Sequence, residues 1–289
     1  MPKQSTFGSP SDETKIATYS WGEDLQRPRG VVQVAHGLAE YGARYDRLAQ
    51  ALVGAGYRVY ANDHRGHGKS VASAADLGHF GKPGFLGVAA DMAAFGAAIA
   101  QDYPGLPLFL IAHSMGSFAA QEMLLDHSGQ YAGVVLSGTT ALDVLGANLA
   151  QSEGPVGLEA FNAGFEQRTG YEWLSRDEAE VDKYVADAFC GFDLPDETVP
   201  AIFAGAARLA DPAALANISR ELPLLLVSGQ ADPISGDGQL VHLLAQRYRE
   251  AGVADVTVTV YPGARHEIFN ETNRDEVTGH VIAWLDEHS

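Results

Sequence analysis

Short, fully apolar runs set helix-lengths apart constrain this chain most. Gly30–His36 reads GVVQVAH, Pro107–Ala112 reads PLFLIA and Pro223–Ser228 reads PLLLVS. A strand with one wet face alternates apolar and polar residues; these runs do not, so both of their faces must be covered. Thr14–Trp21, Tyr57–Ala61, Tyr131–Ser137 and Asp255–Tyr261 complete seven predicted strands. Between them, Tyr45, Leu48, Ala49, Leu52 and Val53 fall at helical spacing and stop at Gly54 and Gly56. Further helices are predicted at Val88–Asp102, Met115–His127, Gly238–Ala251 and Asp275–Glu287, and Asp63–Ser70 (DHRGHGKS) reads as a loop. Strand and helix in alternation mean a mostly parallel sheet with helices on both faces.

The rhythm breaks between Thr139 and Asn217, where Gly and Pro punctuate several short helical patterns and no strand is convincing. The expected organisation is therefore a core of 1–138 and 218–289 with an all-helical cap, 139–217, lying over the sheet's edge. The cap holds 14 Asp+Glu against 4 Lys+Arg, a net −10 out of the chain's −18. That is either an ordinary solvated face or an acidic surround to a site. The acidic balance argues against nucleic acid and against docking by charge on anionic lipid. One cysteine, Cys190, leaves no intramolecular disulfide and no cysteine-based zinc cluster. The first residues show no apolar signal segment, and no run reaches the roughly 18 apolar residues of a membrane span. A cytoplasmic location is expected; the oligomeric state is open.

Directly after PLFLIA come Ala112-His113-Ser114-Met115-Gly116 and a helix. A serine on a tight strand-to-helix turn is pushed up at the carboxyl edge of a sheet, and the crowding demands small residues two before and two after, here Ala112 and Gly116. The helix starting beside it points its N–H groups at the same spot, favouring a developing oxyanion. The spacing A-x-S-x-G recurs at Ala150–Gly154, but Ser152 has no strand ahead of it. Ser114 could otherwise serve as a plain helix N-cap.

A serine hydroxyl needs a histidine held in the right tautomer by a carboxylate. After the strand ending at Tyr261 comes PGARHE, placing His266 at the carboxyl edge, and after PLLLVS comes GQADP, placing Asp232 there. Asp-Pro is also a common turn signal, so Asp143 and Asp237 stay as fallback acids. His36-Gly37-Leu38 follows GVVQVAH, where Gly37 allows a close turn and the Leu38 N–H can join that of Met115 as an oxyanion hole. His36, Gly37, Glu40 and His113 are candidate substrate-binding residues. Gly68-Lys69-Ser70 mimics the end of a phosphate-binding loop, but Asp63 stands where that motif needs glycine. His64 and His67 lack a supporting carboxylate cluster and read as loop organisers rather than metal ligands.

Four stretches resemble α/β-hydrolases of the monoacylglycerol lipase and lysophospholipase group: His36–Ser70, the AHSMG turn, SGQADP (Ser228–Pro233) and GARHEIFNE (Gly263–Glu271). The resemblance implies an eight-stranded, mostly parallel sheet with an all-helical cap inserted after the sixth strand. It implies Ser114 as nucleophile, Asp232 as acid, His266 as base, oxyanion donors at Leu38 and Met115, and no metal or other cofactor. Tyr41 stands where closer relatives often carry His, and Ser117 where they often carry Gly. The expected substrate is a small ester with an apolar acyl chain; cap residues such as Leu142, Leu145, Leu149, Phe161, Phe165, Tyr171, Trp173, Tyr184 and Phe189 either line an acyl tunnel or pack as core. The same triad also serves lysophospholipases, iminopeptidases and C–C bond hydrolases, and a non-catalytic receptor on this scaffold is a further alternative.

Overall fold

A computed structural model describes residues 2–151 and 157–289. Its strands are β1 (Lys3–Gly8), β2 (Lys15–Trp21), β3 (Gly30–Ala35), β4 (Tyr57–Asn62), β5 (Leu108–His113), β6 (Gly133–Ser137), β7 (Leu224–Gly229) and β8 (Val256–Tyr261). They form one eight-stranded sheet in the order β1-β2-β4-β3-β5-β6-β7-β8. The pairs β1–β2 and β2–β4 are antiparallel, and every other pair is parallel. The helices of the first half are α1 (Asp46–Gly54), α2 (Gly84–Asp102) and α3 (Met115–His127). After β6 come α4 (Leu142–Gln151), α5 (Glu178–Ala186), α6 (Thr198–Phe203) and α7 (Pro212–Leu215), and then α8 (Gln239–Glu250) and α9 (Arg274–Glu287) flank β8.

The apolar strands are buried on both sides, as their composition requires. Leu108, Leu110, Val134, Leu224 and Leu226 join α2, α3 and α8 in one core. Phe109, Ile111, Val135, Leu225 and Val227 join α1 and α9 in the other. The register pairs Ala35 with Ala112, His113 with Ser137, Ser137 with Val227 and Gly229 with Tyr261. All these strands therefore end along one rim, and the loops after β3, β5, β6, β7 and β8 leave from it together.

Three differences from the sequence reading have clear causes. β1 carries KQSTFG with no apolar alternation and is almost wholly exposed; as an edge strand it is held by its ladder to β2 and by Phe7 stacking on Phe95 at 5.3 Å. α2 starts at Gly84, four residues before the predicted Val88, because Pro83 and Gly84 start a turn that periodicity does not register. α2 is also 19 residues long and apolar enough to span a membrane by composition. It is instead a core helix, burying Phe85, Val88, Met92, Phe95 and Ile99. The second A-x-S-x-G, with Ser152, lies outside the described residues.

Candidate active site

Ser114 sits between β5 and α3 at φ 50, ψ −122, in the left-handed half of backbone space that only a closely held turn sustains. Its amide donates to the Ser137 carbonyl at 2.9 Å, tying the turn to the end of β6. A Cβ on Gly116 would lie 2.5 Å from the His36 carbonyl oxygen and 2.6 Å from that of Ala35, so only glycine lets α3 start this close to β3.

The loop after β8 brings His266 to that serine. Its Nε2 is 2.9 Å from Ser114 Oγ and its Nδ1 is 2.8 Å from Asp232 Oδ2, which reaches over from the loop after β7. Asp232 is fixed in turn by the Ile234 amide on Oδ1 at 3.1 Å. Burial alone would depress the histidine's pKa, but the Asp232 charge and hydrogen bond, with Glu267 and Glu40 nearby, raise it above the ordinary 6.5. The fallback acids lie elsewhere: Asp143 forms a two-pronged pair with Arg247 at 2.7 and 3.0 Å, and Asp237 occupies a positive-φ turn (φ 56) ahead of α8.

The His36–Glu40 loop supplies the facing wall. His36 is fully buried and does not face the cavity beside Ser114. Its Nε2 accepts the His64 amide at 2.8 Å, so the proton is on Nδ1, which donates to the Gly37 carbonyl at 2.7 Å. That carbonyl shares a rigid peptide plane with the Leu38 N–H, so His36 sets the direction of that donor. Among the described residues, neither the Leu38 nor the Met115 amide donates to a backbone acceptor, and both residues border the cavity at Ser114. Gly37 packs close: a Cβ there would meet Glu40 Oε1 at 2.8 Å and Ser114 Cβ at 3.1 Å. Gly37, Glu40 and His113 line a hollow of about 20 Å³ beside Ser114 and His266. His113 lies 4.7 Å from the His266 ring, and burial with that neighbour drives its pKa well below 6.5, so it is uncharged.

Sequence reading missed a buried ion network under this wall. Arg44 donates to Glu267 through both Nη atoms at 2.8 and 3.0 Å, and to Glu40 at 2.5 Å. Glu40 Oε1 in turn accepts from the Gly37 amide at 2.5 Å and the Tyr45 hydroxyl at 2.8 Å. Burial would raise Glu267, but the Arg44 charge and paired hydrogen bonds hold it down to about 2. Burial pushes Glu40 above its usual range despite the shared arginine. The signal was present in the sequence, since Glu267 adjoins His266, but its partner lies 223 residues away.

An apolar cavity of about 350 Å³ opens at Ser114 and His266. Of the cap residues expected to line it, Leu145, Leu149, Phe161 and Trp173 do; Phe118, Val199, Ile202, Phe203 and Ile234 join them unforeseen. Leu142 packs into the core instead. Phe165, Tyr171 and Tyr184 cluster around Trp173, and Phe189 packs edge-on against Tyr41 at 5.7 Å. Two backbone hydrogen bonds join the cap to the histidine loop, from the His266 amide to the Trp173 carbonyl (3.2 Å) and from the Glu267 amide to the Leu174 carbonyl (2.7 Å). Besides Asp143, two cap carboxylates pair with core arginines: Asp177 with Arg274 at 2.6 Å and Glu180 with Arg47 at 2.6 Å. Glu159, Asp193 and Asp196 border a separate polar hollow that shares Gly157, Leu158 and Val199 with the apolar cavity.

His64 and His67 are buried beside His36, with ring centroids 4.2 and 5.3 Å from it. Burial takes His64 down to about 3 and His67 to about 4, and His67 Nδ1 lies 3.0 Å from the Arg65 carbonyl. The Lys69 amide donates to Asp63 at 2.7 Å, so this loop folds on its own aspartate.

Residues 26–273 match the family model for serine aminopeptidase, S33. The monoacylglycerol lipase of Mycolicibacterium smegmatis is 33% identical over 277 residues, 93% of this chain and 91% of that protein. Human monoglyceride lipase is 29% identical over 276 residues, 88% of this chain and 80% of that one. A thermostable carboxyl esterase from Bacillus coagulans, solved in complex with glycerol, superposes with a TM-score of 0.86 at 27% identity, over 99% of this chain and 98% of that one. The chain belongs to this family of α/β-hydrolases, in its monoacylglycerol-lipase-like group, and is a carboxylic ester hydrolase.

Proposed function

We propose that the chain cleaves monoacylglycerols or similar single-chain acyl esters through an acyl-enzyme on Ser114. Ser114 Oγ adds to the ester carbonyl as His266 Nε2 takes its proton, and Asp232 holds the imidazole and balances its charge. The carbonyl electron pair moves onto oxygen, where the Leu38 and Met115 amides receive it. Collapse expels the alcohol, protonated by His266; water, deprotonated by His266, then releases the carboxylic acid and frees Ser114. The chemistry needs no metal or organic cofactor. Residues 139–217 act as a cap subdomain whose apolar inner side accepts the acyl chain, with Gly37, Glu40 and His113 on the alcohol side.

The observation that carries this reading is the His266 ring bridging Ser114 at 2.9 Å and Asp232 at 2.8 Å beside the mouth of the apolar cavity. The names of the relatives, two of them lipases of monoacylglycerols, support the substrate class. The carboxylates Glu159, Asp193 and Asp196 next to the cavity favour neutral esters over anionic lysophospholipids.

The test is a burst of p-nitrophenol from p-nitrophenyl butyrate, stoichiometric with enzyme and absent in Ser114→Ala. A retained burst in that variant sinks the mechanism, and no release of p-nitrophenol at all by the native chain overturns it as well. Equal rates on neutral monoglycerides and anionic lysophospholipids at low salt refute the charge argument.

A further inference from the structure

We infer that Tyr184, on the cap helix α5, is a positioning residue that bolts the oxyanion loop into a strained turn; this rests on reading the Leu38 amide as an oxyanion donor. Ala39, next to that donor, is fully buried at φ 52, a backbone region that residues with a Cβ rarely occupy. Something must hold it there. The Ala39 carbonyl accepts the Tyr184 hydroxyl at 2.8 Å and the Gly191 amide at 3.0 Å, both from the cap.

The loop is thereby gripped on both sides of Leu38. On one side His36 and Glu40 fix the peptide groups around Gly37 through hydrogen bonds of 2.7 and 2.5 Å. On the other, the cap fixes the peptide that follows Ala39. Loosening the second grip lets Ala39 relax toward ordinary dihedrals and swings the Leu38 amide away from the developing oxyanion.

Tyr184 is well placed for this. Its ring is buried, lies under the Arg44 guanidinium at 4.9 Å and leans on Tyr171 at 5.1 Å, so the hydroxyl has a single orientation. It is absent from the lining of the large apolar cavity, so it does not shape the acyl site, and it borders only the small hollow beside Ser114 and His266, which a ketone with no alcohol portion does not read. Docking of α5 is then a condition for an assembled oxyanion hole, which couples the cap to the chemistry.

The experiment is Tyr184→Phe, which keeps the ring and removes only the hydroxyl. The expected result is a fall in kcat of about tenfold, short of the roughly hundredfold that loss of a whole oxyanion donor costs, with KM within twofold of native. Octyl trifluoromethyl ketone, which adds Ser114 Oγ to its carbonyl and places a real oxyanion in the hole, should lose affinity in step with kcat/KM. Competitive inhibition by 1-octanol, which reads only the apolar cavity, should not change. Glycine adopts positive φ without strain, so Ala39→Gly in the Tyr184→Phe background should restore ketone affinity. Native kcat in Tyr184→Phe, an unmoved ketone Ki, an equal loss of octanol binding, or no rescue by glycine overturns the inference. Activity in Ser114→Ala would instead overturn the proposed function beneath it.

Discussion

Replacing Arg44 by methionine keeps an apolar stem against the Tyr184 ring and removes the one cation shared by Glu40 and Glu267. Both carboxylates are nearly sealed from solvent, at 4% and 7% side-chain exposure, so neither recovers its hydration when the guanidinium goes. Breaking a buried pair in this way costs about 3–5 kcal/mol, or roughly 6–10 °C in Tm at about 2 °C per kcal/mol for a chain of this size. The pH dependence makes the test specific. In the native chain Glu267 is held down to about 2 from an ordinary 4.5. Its pairing therefore adds stability above pH 4.5 that disappears only as pH falls toward 2. Without Arg44, burial and the mutual repulsion of the two carboxylates outweigh the remaining hydrogen bonds from Gly37, Tyr45 and Asn270 and raise both carboxyls, so the variant keeps its stability in acid and loses it as pH rises past 4.5. The Tm gap between native and Arg44→Met should be widest near pH 7.5, narrow toward pH 4.5 as the variant's carboxyls protonate, and close only as pH falls toward 2, read by differential scanning calorimetry. A gap that is constant with pH, or wider in acid, refutes the assignment of Arg44 as the counter-ion of these carboxylates.

Three other outcomes are expected. Because Asp232 outweighs burial and raises His266, the neutral base is lost early on acidification, and kcat/KM should fall with a midpoint above 6.5; a profile flat from pH 5 to 8 contradicts the role of His266. Asp232→Asn should lower kcat about 10⁴-fold, by analogy with other serine triads, and move the midpoint of the residual activity downward. In α4, a Cβ on Gly146 already meets Phe203 Cδ1 at 2.8 Å on the cavity wall, so Gly146→Leu must fill part of the acyl space. Displacing about three methylenes at ~0.8 kcal/mol each should cost dodecanoyl esters roughly 60-fold in kcat/KM and leave acetyl esters within about threefold; equal losses at both lengths argue against an acyl chain in that cavity.

The covered sheet, the turn at Ser114 and the candidates Asp232 and His266 were all readable because each depends on local order: an apolar run, then a loop, then a helix or its cap. A strand buried on both faces announces itself by composition, and a residue just past it is placed on the rim by parallel pairing alone. Position after a core strand favoured Asp232 and left Asp143 and Asp237 as fallbacks, since all three follow or adjoin core elements; in the structure Asp232 is the one within reach of Nδ1 of His266. β1 was invisible because an exposed edge strand records no burial in its residues. Tertiary structure alone decided the Glu40–Arg44–Glu267 network, the hydrogen bond from Tyr184 to Ala39 across 145 residues, and the part of the cavity wall made by Phe203 and Ile234. Periodicity reports which face of its own element a side chain occupies. Which distant charge or carbonyl meets it there depends on how loops separated by the whole sheet are packed against one another.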